Sequence, residues 1–323
     1  MPTLAEVLPH VEALCPGFCA KIEGATPEQI EALQQEAERP LPEPHREFLR
    51  RMGVEPGPIF RLMAGMDTRV ESLLGYYEQV GWRPPSRFTL IGRDPELPVS
   101  TFLDHQGDPP FSVVSFAIPL QAGKGEPWRT ASVLAASLPE LVMRCAFDTI
   151  ACVRLPLEAR ITLQPVPDLL RRLDAALVGS GYERHPLTGG LTGMYWRGDH
   201  AAITTFHGDP HDAALVYLHT DDAAEAEALV ERLRGSFVPE LHWVADAAAV
   251  HPAVAALRKE LGEGSHEDGD EDEDEDENGD ENGNEAGDEN GTEAGGPDEN
   301  GNEAGGPDET GDETKAEAEG QAP

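Results

Sequence analysis

Basic residues are scarce. Against 61 Asp and Glu, the 323 residues include 24 Lys and Arg, for a formal net charge of −37; a surface for nucleic acid would need the opposite sign. Nothing approaches the roughly 18 to 20 consecutive apolar residues of a membrane span. The densest stretch, residues 111–120, is interrupted by Ser112, Ser115 and Pro119. A basic segment followed by an apolar one, as a signal peptide needs, is not found at the N-terminus. There Glu6, His10 and Glu12 punctuate Leu4, Val7, Leu8 and Val11, which is the spacing of an amphipathic helix. Cysteines number four, Cys15, Cys19, Cys145 and Cys152. None has the C-x-x-C spacing of a zinc ribbon or redox pair, so they read as reduced core thiols of a cytoplasmic protein. Nucleophile elbows, Walker loops and dinucleotide fingerprints are missing too, and Gly189-Gly190-Leu191-Thr192-Gly193 has no lysine to cradle a phosphate. The expectation is a chain with no catalytic residue and no cofactor.

The charge that is present is unevenly spread. Residues 263–323 hold 26 of the acids and one base, Lys315, which leaves 35 acids and 23 bases in residues 1–262, a net of −12. The tail has no aromatic residue and almost no bulky apolar one, so burial cannot offset the entropy of ordering it. Residues 288–297 recur as 298–307 with one change, a low-complexity repeat without a hydrophobic face to stack. The tail is therefore expected to be disordered and acidic.

In the body, Thr26-Pro27-Glu28-Gln29 carries a helix start: a Thr cap, Pro at the first helical position and Gln at the capping-box position. Ile30, Leu33 and Ala37 then share a face. Pro40 and Pro42 break the pattern, and residues 43–52 resume it with Phe48, Leu49 and Met52 before Gly53, a C-terminal stop. A third helix is expected over 67–80. Short β-prone runs follow at 88–91, 99–103 and 111–117, separated by Gly-Arg-Asp-Pro and Gln-Gly-Asp-Pro turns, as in an antiparallel meander. Residues 131–153 return to helical composition. Beyond them, a strand at 161–163, a helix at 167–178, strands at 194–196, 201–206 and 213–219 and a helix at 222–234 give the order β-α-β-β-β-α, and residues 244–261 read as Ala-rich helix. The fold class is α+β: an antiparallel meander flanked by helices (residues 1–157), a second α+β unit (158–262) and the tail (263–323).

Two clusters offer metal ligands. His207-Gly208-Asp209-Pro210-His211-Asp212, with Asp199 and His200 upstream, is the densest in the body; His and Asp together can hold zinc and polarise a water. The plainer reading makes Gly208-Asp209-Pro210 a turn between strands and its histidines solvated. In the tail Asp274, Asp276, Asn278, Gly279 and Glu285 satisfy the EF-hand loop expression. A segment built of Asp, Glu, Asn and Gly generates such matches by composition, and no amphipathic helix flanks this one. The tryptophans Trp82, Trp128, Trp196 and Trp243 read as core or interface residues.

The stretch Ala25-Thr26-Pro27-Glu28-Gln29-Ile30-Glu31-Ala32-Leu33, then Pro40-Leu41-Pro42-Glu43-Pro44-His45-Arg46-Glu47-Phe48-Leu49 and Gly53, resembles the opening of the SMI1/KNR4, or SUKH, superfamily: a helix, a Leu-Pro corner and a Phe-Leu helix. Thr89-Leu90-Ile91-Gly92-Arg93-Asp94, with Phe102-Leu103-Asp104 and Val113-Val114, is similar to that family's strand meander. The likeness spans residues 24–155. It departs from the pattern at Met52-Gly53-Val54, where an Asn-Gly pair is common, and at His45, where a Tyr is frequent.

The resemblance implies a non-enzymatic binding protein. Bacterial members resemble immunity proteins that neutralise toxins, often nucleases, and fungal members act as interaction hubs. An acidic body suits the first role, since opposite charge speeds encounter with a basic toxin. The expected partner is a protein, with no nucleic acid and no membrane. Two readings of other classes stand beside it: a metal-dependent hydrolase using His200, His207, Asp209 and His211, and an acidic-tail chaperone of basic proteins.

Overall fold

The computed structural model describes residues 2–62, 66–80, 82–94, 96–118, 126–206 and 213–261. The expected tail, its EF-hand match and the 207–212 segment lie outside the described residues. The described residues fall in one compact unit and are α+β.

Local chemistry starts the first helices. In α1 (Leu4–Leu14) the Thr3 hydroxyl accepts from the Glu6 amide while the Glu6 carboxylate accepts from the Thr3 amide at 2.8 Å. Thr26 and Gln29 repeat this box at α2 (Pro27–Glu36). Each box satisfies two of the amides that a helix start leaves without partners. Beyond α2 the chain turns at Glu38, whose φ is 55°. Arg39 then donates to the carbonyls of Pro84, Pro85 and Phe88, at 2.5, 3.0 and 3.1 Å, tying the corner to the start of the sheet.

The Leu-Pro corner leads into α3 (Glu43–Met52), with His45, Phe48, Leu49 and Met52 buried. Gly53 ends it for a reason other than the left-handed turn that glycine usually supplies there. Its φ is −79°, open to any residue, but a Cβ would lie 2.5 Å from the Leu49 carbonyl oxygen and 2.8 Å from Ala25 Cβ. Residues 23–25 pass directly against the end of α3, with the Ala25 amide donating to Leu49 O at 2.8 Å. The third helix, α4 (Val70–Gln79), buries Val70, Leu73, Tyr76 and Tyr77.

The meander has four strands in order β1 (Phe88–Arg93), β2 (Val99–Asp104), β3 (Ser112–Ala117), β4 (Ser132–Ala135), all antiparallel. Three of them were expected. The fourth falls where composition suggested the start of a helix. Phe88, Phe102 and Phe116 bind the sheet together, Phe102 and Phe116 stacking at 4.2 Å between ring centroids, and Trp82 and Trp128 pack on this aromatic cluster.

Helix α5 (Leu138–Arg154) follows. Ser137 caps it, and 14 of its 17 residues are buried, which fits a helix covered on all sides. α1 and α3 pack on it from one direction.

From another direction comes a six-stranded antiparallel sheet in order β10-β5-β9-β8-β7-β6. Its elements are β5 (Leu157–Leu163), α6 (Leu169–Gly179), β6 (Glu183–Arg184), β7 (Thr192–Arg197), β8 (Ala201–Phe206), β9 (Ala214–Thr220), α7 (Ala223–Leu233) and β10 (Pro239–Asp246). The expected β-α-β-β-β-α order is present, with β6 and β10 in addition. β10 takes residues 244–246 out of the expected Ala-rich helix, which resolves into α8 (Ala247–Val250) and α9 (Ala253–Leu261).

Two cores result. One joins α1–α5 to the four-stranded sheet. The other lies between the six-stranded sheet and α6 and α7, where Leu169, Leu173, Leu229 and Leu233 meet Ile161, Ile203, Val216 and Leu218. Met194 and Ala202, on the large sheet, belong to the first core; α5 therefore packs against the opposite face of that sheet. Among the described residues no helix is long and apolar enough to cross a membrane.

Candidate functional site

Two regions combine charge or reactive groups with a geometry beyond that of an ordinary surface. The first is the outer face of α2. Its inner face buries Ile30 and Leu33, so the helical period turns Glu28 and Glu31 outward, and Glu36 and Glu38 continue the exposed carboxylates at its end. Among the described residues none of these four forms an ion pair. Glu31 accepts from the side-chain amides of Gln34 and Gln35. The Glu28 carboxyl is held below its usual range by its own backbone amide and by Thr26, so it is charged at neutral pH. Neighbouring α3 behaves differently: Glu43 is matched by Arg46 and Arg50, at 2.5 and 2.9 Å.

A cleft of about 360 Å³ opens elsewhere on the first core, lined by Glu55, Phe60, Arg61, Asp67, Arg69 and Arg93, among others. Much of its charge is already matched. Asp67 takes both a 2.9 Å and a 2.7 Å hydrogen bond from Arg69, and Arg61 pairs with Glu260 of α9.

The second region is a buried polar seam between α5 and the large sheet. Glu140, Arg144, Asp148 and Cys152 recur every fourth residue on α5, which places them in one row. On the sheet, Tyr217 and His219 of β9 alternate onto one face, and register sets Arg160 opposite Tyr217 and Glu158 opposite His219. Thr204 of β8 donates to Asp148. Arg144 pairs with Asp148 at 3.5 Å and lies over the Phe206 ring at 4.6 Å. The Glu140 carboxylate accepts from the Leu191 amide at 2.9 Å.

The seam ends in a cluster of four. The Cys152 sulfur stands 3.7 Å from Glu158 Oε2 and 3.6 Å from His219 Nδ1, and His251 Nε2 lies 2.9 Å from the same Glu158 oxygen. His251 arrives from the α8–α9 turn, which Arg258 fixes by donating to the carbonyls of Val153 and Cys152, at 2.8 and 3.2 Å. Those carbonyls belong to the last turn of α5, where a helix leaves them without partners.

Burial, reinforced by Glu158, pushes the Cys152 thiol well up, so it stays protonated and is no nucleophile at neutral pH. Burial holds His219 down against the pull of Glu158. Burial also works to raise Glu158, yet the His251 hydrogen bond and the nearby histidines prevail and hold it low. His251 is raised by that bond. The resting cluster thus pairs Glu158 with His251, whose proton that pairing favours, beside a neutral thiol and an imidazole that burial holds toward its neutral form. Among the described residues, Cys152, Glu158 and His251 are the group whose ligand atoms converge, all within 4.8 Å of one another.

Of the sequence candidates, His200 is exposed in the β7–β8 turn with its Nδ1 2.8 Å from Asp221 Oδ2, which raises its pKa. His207, Asp209 and His211 lie outside the described residues. Cys15, Cys145 and Cys152 are buried as core thiols should be, whereas Cys19 is exposed, in the short turn 18–20 after α1. Trp82, Trp128 and Trp196 pack against the first core. The Cys152 cluster escapes sequence reasoning because its members come from α5, β5, β9 and the α8–α9 turn. The legible signal was the four-residue spacing of polar groups along α5, an otherwise apolar helix.

No protein-family model matches the chain, and no curated protein matches it.

Proposed function

We propose that the protein is a non-enzymatic, cytoplasmic binding module of SMI1/KNR4 type whose partner is a basic protein, a bacterial toxin that it neutralises by direct contact. The observation that carries this reading is the outer face of α2. Glu28, Glu31, Glu36 and Glu38 are exposed and without cationic partners among the described residues, while on α3 beside it Glu43 is held by Arg46 and Arg50. Three like charges along roughly 12 Å of helix, with Glu38 just beyond its end, repel one another, a modest cost that a cationic partner removes. Their field also steers such a partner in, raising association rates by 10-fold or more at low salt. The helix, Leu-Pro corner, helix and meander succession that the resemblance implies supports the family side of the reading.

The test is affinity purification with mass spectrometry, including the products of adjacent genes. It compares the full chain, a chain ending at Gly262, and a full chain with Glu28, Glu31, Glu36 and Glu38 changed to lysine. A basic protein held by the first two and lost by the third supports the proposal. Capture through residues 263–323 alone would move the function to the tail.

A further inference from the structure

We propose that Cys152, Glu158 and His251 form a binding site for one zinc-class divalent ion, with His219 holding the sulfur in place. The site is independent of the partner-binding face on α2.

Three chemically suitable donors converge from three separate elements: the last turn of α5, the first turn of β5 and the α8–α9 turn. Zinc is bound at about 2.3 Å by thiolate and about 2.0 to 2.2 Å by imidazole and carboxylate. In a tetrahedron those bond lengths give ligand-to-ligand edges of about 3.5 Å from sulfur and about 3.4 Å between nitrogen and oxygen. The observed sulfur-to-oxygen distance is 3.7 Å, already close to such an edge. The nitrogen-to-oxygen distance is 2.9 Å and the sulfur and the His251 nitrogen lie within 4.8 Å, so the ion has to part His251 and Glu158 by about half an ångström, replacing their hydrogen bond by two coordinate bonds, and to draw His251 and the sulfur to their own edge.

The donor set also selects the metal. Calcium and magnesium take oxygen ligands, whereas a thiolate with an imidazole and a carboxylate suits zinc. The charges balance as well. Binding releases the Cys152 thiol proton, and the second ring proton of His251 when it carries one, to solvent, and a dication then faces one thiolate and one carboxylate, leaving the buried site neutral. His219 Nδ1, 3.6 Å from the sulfur, supplies the N–H that orients and stabilises the thiolate, the kind of outer contact that tunes metal affinity. With three protein ligands the fourth position is left for water, as in open zinc sites.

Cys152 and Glu158 are each 3 % exposed, so an ion held by them is shielded from water on that side. The His251 side chain is 29 % exposed, which gives the ion a way in. Arg258 clamps α9 to the end of α5 and so holds the third ligand in place before the metal arrives.

The experiment strips the purified full chain with a chelator, reloads it with Zn²⁺ or Co²⁺, dialyses it and measures bound metal and the cobalt absorption spectrum. Expected are about one ion per chain, intense visible bands of tetrahedral cobalt and a near-ultraviolet thiolate-to-cobalt charge-transfer band. Cys152→Ser should lose the charge-transfer band, and His251→Ala should weaken binding at least about tenfold. The double variant His207→Ala, His211→Ala should keep both ion and spectrum. If Cys152→Ser does not fold, the spectrum of Cys19→Ser decides, because only thiolate ligation produces the charge-transfer band and Cys19 is the exposed thiol that could also supply it. No retained ion, a cobalt spectrum without that band, or metal lost from the His207 and His211 variant while kept by Cys152→Ser would overturn the site.

Discussion

Below neutral pH the buried His45 should cost the fold stability, and replacing it should restore that share. His45 is fully buried on α3, and neither ring nitrogen has a hydrogen-bond partner. Burial therefore lowers its pKa from 6.5 to about 3. Because the folded pKa lies below the unfolded one, the unfolded chain takes up the proton first as pH falls. The stability present above pH 6.5 is lost as pH drops from there toward the folded value, at about 1.4 kcal/mol per pH unit. One unit below 6.5, at pH 5.5, the loss is about 1.4 kcal/mol, and at pH 4.5 it is about 2.7 kcal/mol. His45→Leu, similar in volume, removes this dependence and also relieves a buried N–H without an acceptor, worth about 1 to 3 kcal/mol. Urea unfolding of both proteins at pH 7.5, 5.5 and 4.5, followed by circular dichroism, checks this. The variant should be the more stable at every pH, with its advantage growing by about 1.4 kcal/mol between pH 7.5 and 5.5. Other titrating groups cancel in the difference. Parallel pH profiles, with the advantage changing by less than about 0.5 kcal/mol, would refute the reasoning.

Three further outcomes follow from the same structure. Arg39→Ala removes three charge-assisted bonds to the carbonyls of Pro84, Pro85 and Phe88 and should destabilise the fold by about 2 to 3 kcal/mol, read as a lower urea midpoint at unchanged slope. Gly24→Ala would put a Cβ onto the Arg50 carbonyl and should cost about 1 to 3 kcal/mol or more; thermal unfolding measures it, and a neutral result would mean that residues 23–25 are not pinned to the end of α3. Changing Glu28, Glu31, Glu36 and Glu38 to Gln should slow association with a basic partner about tenfold or more at low salt, with little change in dissociation, and the difference should shrink as salt shortens the reach of the field. Stopped-flow or biosensor kinetics at two ionic strengths reads it.

Where a short signal is complete within one segment, the sequence was enough. The box at Thr26, the Pro-rich corner and the β-prone run of residues 99–103 each state their local structure, and the α+β class follows from their order. Residues 132–135 and 244–246 failed because Ala, Ser and Val beside a helix read as more helix, and only pairing with β3 and β5 makes them strands. Gly53 was identified at the right place with the wrong cause: its role comes from the passing 23–25 segment, which lies far back in sequence. Of the Cys152 cluster only the polar spacing along α5 was legible, for the same reason. Cys152 looks like one more small apolar residue of α5 until the fold brings Glu158, His219 and His251 to its sulfur.

The central claim, that an acidic face of this protein captures a basic one, is tested most directly by affinity purification with and without lysine at positions 28, 31, 36 and 38. The account predicts a basic protein retained equally by the full chain and by a chain ending at Gly262, and released when the α2 charge is reversed. Retention that survives the reversal, or that needs residues 263–323, would contradict it.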